Sequence, residues 1–389
     1  MLVLLIYYFG YYNEESIPKM DYISDRFGEE CEYQGTIYKE GQVFTQPCKE
    51  CYCSFGEIEC AEVHCHETKN TLGMDLIKRS IQVLIPTHVR VFPGTVAVMN
   101  SVLQNTKSPV KFTLVQYEHN QFDEKHLRNW ISGSGARFAN YRIVPNNEDL
   151  FYTEGKFSEF FQQLRLIKKS QRDRFKKVIK EMKGNVTAAL LVLTDLLPQE
   201  HKVIVLSSNV IVKSDIAQFF NLNMGEYKVG AINSCHGYCH YSTFFSDYFR
   251  DSILEPREIK PTECALSVGV VVANLDLWIN TDTQLNMYTL YLSLLKRSSE
   301  MWSLGQENVF LSSFLLQFAG RFYDLNNNWR ICSLSPEHVP RASQLEQAEV
   351  INWGSQLPWT LEPDSPSLQL WKQYYHPDPT GLYRLRQGR

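Results

Sequence analysis

From residue 80 onward, short unbroken apolar runs alternate with stretches of helical period. IQVLI at 81–85, KFTLVQY at 111–117, ANYRIV at 139–144, KVIVL at 202–206, KVGAIN at 228–233 and SVGVVVANL at 267–275 predict strands. Runs this short and this apolar suit strands buried on both faces. Between them, 94–104, 123–131, 155–182, 284–297 and 306–318 predict helices. That order fits an open α/β sheet covered by helices on both faces. The stretch 165–183 carries nine basic and two acidic residues, with Leu164, Ile167, Phe175, Val178 and Ile179 at helical spacing. It predicts an amphipathic helix with a solvated basic face, and a polyanion site is the alternative.

The first 80 residues break this pattern. Residues 1–30 form an apolar leader followed by a polar linker. The leader lacks the basic start and small-residue cleavage site of a good signal peptide. It reads as a weak signal peptide, as the remnant of a membrane anchor if the N-terminus is incomplete, or as a plain strand. Six of the ten cysteines then fall between Cys31 and Cys65: Cys31, Cys48, Cys51, Cys53, Cys60 and Cys65. The segment has few large aliphatic residues, so covalent links must replace an apolar core. Disulfides in a secretory compartment are the first reading. Zinc is the second, because Cys48-x-x-Cys51 and Cys65-His66 have ligand-like spacing.

Composition adds limits rather than a function. The 389 residues carry a net charge of −4, with 44% hydrophobic and 21% charged positions. Such a globular mix excludes fibrous and wholly disordered classes. The near-neutral charge argues against nucleic acid as a partner. No apolar run reaches the ~20 residues that span a bilayer. The segment 31–65 holds six acidic and two basic residues, so it alone sums to −4. Asn185-Val186-Thr187 is a candidate N-glycosylation site.

Two resemblances can be read from motifs. The segment 31–66 runs Cys31, Gly35, Tyr38, Gly41, then Pro47-Cys48-x-x-Cys51-x-Cys53, Gly56, Cys60 and Cys65. It resembles the first half of a von Willebrand factor type C module, which implies a disulfide-linked extracellular spacer or a site for a protein ligand. The region 80–389 resembles the glycosyltransferase 8 domain-containing members of glycosyltransferase family 8. The resemblance rests on the strand and loop at 203–216, on Cys264-Ala-Leu-Ser267-Val-Gly269-Val-Val-Val-Ala273-Asn274-Leu275, and on Gly354-x-x-x-Pro358-Trp359. The tail Trp371-x-x-x-Tyr375-x-Pro377-Asp378-Pro379-Thr380-Gly381 adds to it. The family implies a GT-A, Rossmann-like α/β fold with a central mixed sheet, preceded here by the small disulfide-rich module.

It also implies a chemistry. A D-x-D pair and a downstream histidine hold Mn²⁺ against the diphosphate of a UDP-sugar, and hard oxygen ligands with one imidazole suit that ion. A lysine of G-x-x-K-P-W and an arginine on the preceding helix add positive charge. In this chain the D-x-D positions fall on Ser207 and Asn209, around Ser208. The histidine falls on Ile351, the lysine on Leu357, the arginine on Leu190 and the sugar-side asparagine on Ser267. The family's D-Q-D falls on 305–307, where Gln306 is kept beside Glu307. Gly269, Gly354, Pro358 and Trp359, which packing and backbone geometry require, remain.

Scaffold kept and charged chemistry lost predicts a degenerate site with no metal cofactor, on a secretory-pathway protein of the Golgi lumen or the extracellular space. A UDP-sugar or a glycan is the partner that the resemblance implies. The alternative is a metal-independent hexosyltransferase whose site has been rebuilt with other cations, for which Lys213, Arg330 and His236 are candidates. Cys235 and Cys239, flanked by His236 and His240, read as disulfide partners of Cys264 or Cys332 or as loop thiols, with a metal as the alternative. The aromatic run Tyr241, Phe244, Phe245, Tyr248 and Phe249 predicts a packed helix face, or the floor of a sugar cleft.

Overall fold

The computed structural model describes residues 31–33, 36–38, 43–46, 49–54, 57–62, 80–117, 120–145, 188–235, 238–239, 242–296, 309–334, 340–354 and 356–385. The leader, Cys48, Cys65, the basic stretch 165–183, Asn185, His236, His240, Tyr241, Gln306 and Glu307 lie outside them.

Strands β6 (Ile81–Thr87), β7 (Val110–Gln116), β8 (Asn140–Pro145) and β9 (Lys202–Leu206) are mutually parallel, with β9 next to β6. β12 (Leu266–Asn274) then pairs antiparallel with β9 on one side and with β11 (Val229–Asn233) on the other. A two-residue β13 (Tyr323–Asp324) closes the edge, so the sheet runs β13-β11-β12-β9-β6-β7-β8. Alternate residues of β12 explain its unbroken apolar run. Val271 and Ala273 enter one apolar cluster and Val270 and Val272 the other, so both faces of the strand are covered.

Helix α1 (Phe92–Asn105) buries nearly every residue from Phe92 to Val102, which is why its sequence has no polar face. Pro93 in its first turn needs no donor partner there. Helix α2 (Gln121–Gly133) starts at Asn120, whose side chain accepts the N–H of Asp123 at 2.8 Å. Its Leu127, Trp130 and Ile131 face the core. Both helices lie on one face of the sheet, and α3 (Thr283–Lys296) and α4 (Val309–Phe318) supply the other. The aromatic run makes one turn, Phe245–Tyr248, with Phe245 and Phe249 buried in the core and Phe244 exposed. A packed helix face is therefore the correct reading of its described members.

A second sheet of three short strands carries the site. β10 (Val210–Val212) pairs antiparallel with β15 (Val350–Asn352), which pairs parallel with β14 (Ile331–Ser333). Two disulfides fasten this region. Cys235 bonds Cys264, and Cys239 bonds Cys332 of β14. Both pairings match the sequence expectation, and the metal alternative for these cysteines is excluded. In the N-terminal segment, β1 (Cys31–Tyr33) pairs with β2 (Thr36–Tyr38), and β3 (Val43–Gln46), β4 (Lys49–Ser54) and β5 (Glu57–Glu62) form an antiparallel sheet. Cys31 bonds Cys53, and Cys51 is also disulfide-bonded, so these three sulfurs are not zinc ligands. Among the described residues, no helix is long and apolar enough to cross a membrane.

Candidate functional site

Strand β9 ends at Leu206, and the chain turns through Ser207, Ser208 and Asn209 into β10. The turn closes with Val210 N–H donating to the Ser207 carbonyl at 3.2 Å. Ser207 N–H donates to the Gly269 carbonyl at 3.0 Å, and Trp353 N–H to the Asn209 carbonyl at 3.0 Å. The loop is thus held between β12 and the end of β15.

β12 contributes through an irregularity. Its register against β11 jumps between Ala231, opposite Val271, and Ile232, opposite Ser267. Val268, Gly269 and Val270 are therefore extra residues, and such bulges re-aim a strand at its edge. Gly269 lies so close to β15 that a Cβ there would come within 2.4 Å of Asn352 Nδ2. Asn352 Nδ2 donates to Ser267 Oγ at 3.3 Å, and its Oδ1 accepts the Gly354 N–H at 3.0 Å. Gly354 has a φ of 59°, the left-handed region that favours glycine.

Ser207 and Asn209 are locked to one another. The Ser207 hydroxyl donates to Asn209 Oδ1, and Asn209 Nδ2 donates to the Gly354 carbonyl. Helix α1 closes the other side. A Cβ on Gly94 would lie 2.1 Å from the Ser208 carbonyl oxygen and 2.5 Å from the ring of Trp359. Pro358 is buried, and Trp359 also packs on Trp371, with ring centroids 5.7 Å apart. Of the site residues proposed from sequence, Ser207, Ser208, Asn209, Ser267, Gly269, Gly354 and Trp359 come together here.

Other positions fall elsewhere. Ile351 is fully buried and faces the cluster of Ile211, Cys332 and Trp353, so strand alternation turns it away from Ser267. Asn352 is the residue of β15 that faces the loop, and the family pattern gave no reason to single it out. Leu190 is a core residue at 2% exposure. Lys213 and Arg330 stand at the opposite end of β10 and β15. Lys213 N–H donates to the Glu349 carbonyl, one residue before β15, and its Nζ donates to the carbonyls of Leu345 and Glu346 at 2.9 and 2.8 Å. Burial lowers the Lys213 pKa, the Glu346 carboxylate raises it and Arg330 lowers it, for a net fall. Arg330 pairs with Glu349 at 3.6 Å. Neither cation reaches the loop 207–209.

Sequence reasoning also missed Gly94, whose role rests on a tertiary contact alone. Gln116 ends β7 beside Thr87 of β6, and both its side-chain amide atoms are buried without a protein partner. The hydrogen-bonded set, the Ser207 and Ser267 hydroxyls with the Asn209 and Asn352 carboxamides, is neutral and carries no formal charge. Among the described residues, no three His, Cys, Asp or Glu side chains cluster as a metal site.

A mixed sheet with helices on both faces, and a loop at the end of a central strand, define a GT-A-like glycosyltransferase fold. The WbbM bifunctional glycosyltransferase shares it, with a TM-score of 0.52 at 13% identity, over 78% of this chain and 51% of that one. The chain thus spans about half the length of that protein. The model of glycosyl transferase family 8 matches residues 32–360, so the chain belongs to that family. The match begins inside the cysteine segment. Human glycosyltransferase 8 domain-containing protein 2 is 26% identical over 326 residues, 79% of this chain and 86% of that protein. Xenopus laevis glycosyltransferase 8 domain-containing protein 1 is 26% identical over 323 residues, covering 78% and 81%.

Proposed function

We propose that this family 8 member has lost the metal-dependent transfer chemistry and acts as a binding or scaffold protein in the secretory pathway. The observation that carries the reading is the interlocked loop, in which Ser207 bonds Asn209 and Asn209 bonds the Gly354 carbonyl. Manganese does not fit these residues, because a hard dication is held by anionic oxygen ligands that hydroxyls and carboxamides do not replace. The diphosphate of a UDP-sugar meets Leu357 where the family offers lysine. The competing reading, a metal-independent hexosyltransferase acting on a glycan or protein acceptor, needs substitute cations. The hydrogen-bonded positions of Lys213 and Arg330 at the far end of the small sheet weigh against it.

The disulfides Cys31–Cys53, Cys235–Cys264 and Cys239–Cys332 support an oxidising compartment, the Golgi lumen or the cell exterior. The segment 31–66 acts in this reading as a von Willebrand factor C-like spacer or a site for an extracellular protein ligand, and Asn185 as a glycan attachment site. A melting experiment tests the central point. UDP with Mn²⁺ leaves the melting temperature unchanged, whereas ligand at about 100 Kd adds about 2.7 kcal/mol and a shift of several degrees. A manganese-dependent rise, or release of UDP from a panel of UDP-sugars, contradicts the proposal.

A further inference from the structure

At the end of β10 and β15 away from the loop, the surface opens into a concavity of about 410 Å³. Its wall is built from Tyr238 and the continuous run Asn326, Asn327, Asn328, Trp329 and Arg330, with Glu349 beside Arg330. Pockets of this volume accept small molecules, which a few well-placed polar groups orient. Trp329 is nearly buried and its ring stacks on Phe219 with centroids 3.8 Å apart, so the floor is fixed. The Cys239–Cys332 bond anchors the two neighbouring segments. Asn327, Asn328 and Arg330 are exposed around the rim.

The chemistry of this wall is specific in two respects. Among its described residues the formal charges, Arg330 and Glu349, are paired with one another: the carboxylate accepts the Arg330 N–H at 3.0 Å and faces its guanidinium at 3.6 Å. The described lining therefore sums to zero and gives no preference for phosphate or sulfate. The rest is planar hydrogen-bonding groups beside an aromatic ring. Carboxamides, guanidinium and carboxylate together offer donors and acceptors, and Tyr238, whose hydroxyl donates to Gln347 Oε1 at 3.0 Å, adds an aromatic face. Asn326 Oδ1 and Trp329 Nε1 are buried without a protein hydrogen-bond partner, and two such atoms within four residues are uncommon.

We propose that this concavity is a binding site for an uncharged carbohydrate, separate from the Ser207–Asn209 loop. It holds whether that loop is degenerate or active. The experiment is saturation-transfer NMR on the full chain. The probes are methyl β-galactoside, methyl β-glucoside, methyl α-mannoside and methyl β-N-acetylglucosaminide, with glucose 1-phosphate as the anionic comparison. At least one neutral glycoside receives saturation, and glucose 1-phosphate binds no better. The exposed-residue double variant Asn327→Ala/Arg330→Gln weakens that glycoside by about tenfold or more, which is 1.4 kcal/mol. Asn209→Ala leaves it unchanged. Three results overturn the proposal: no transfer to any neutral glycoside up to about 50 mM, well above the millimolar Kd of a weak site; stronger binding of glucose 1-phosphate; or binding that is lost in Asn209→Ala and indifferent to the double variant.

Discussion

Gly94 and Gly269 leave the room in which the loop 207–209 and the end of β15 lie. An alanine at 94 meets a backbone carbonyl, which cannot swing aside, so Gly94→Ala costs about 3 kcal/mol. An alanine at 269 meets the end of the Asn352 side chain and displaces its bonds to Ser267 and Gly354, costing about 1–2 kcal/mol. Chemical denaturation of both variants checks the order as well as the size. Asp378, in the tail, is a different kind of residue. Burial raises its pKa, but the hydrogen bond from His126, the N–H groups of Tyr383 and Thr380 and the His126 charge outweigh it and hold the carboxyl at about 2. Its folded pKa is below the usual 3.8, so its contribution of about 2 kcal/mol is present above pH 4 and is lost as pH falls towards 2. Denaturant midpoints measured across that window fall in the native chain, and fall less in Asp378→Asn. The turn at 207–209 that ends β9 was legible in the sequence, since it needs only an apolar strand that stops at a polar run. The parts of Gly94 and Asn352 were not, because each depends on a contact more than 80 residues away along the chain.

Elements differ in how much of themselves they announce. β9 was legible because four apolar residues in a row, 203–206, bounded by polar ones, have few other uses. The strands β10, β14 and β15 have three residues each, too few for any period to appear. They exist because the turn at 207–209 returns the chain along β15 and because a disulfide holds β14. Cys239–Cys332 closes a sequence separation of 93 residues, so Cys239→Ser/Cys332→Ser lowers stability by about 3 kcal/mol. The loss is read as an earlier urea midpoint in the variant.

At the scale of the whole molecule, fold and site are separate questions. The mixed sheet with helices on both faces is a GT-A-like glycosyltransferase fold, and the chain belongs to family 8. Fold alone does not fix function. At the loop after β9 the side chains are hydroxyls and carboxamides bonded to one another, and the proposal reads this as lost metal and diphosphate chemistry. The most direct test is isothermal titration of the full chain with UDP-galactose and UDP-glucose, with and without Mn²⁺. The account predicts no saturable heat below about 1 mM in either condition, a free energy weaker than about −4 kcal/mol. Saturable binding that tightens tenfold or more when Mn²⁺ is added contradicts it.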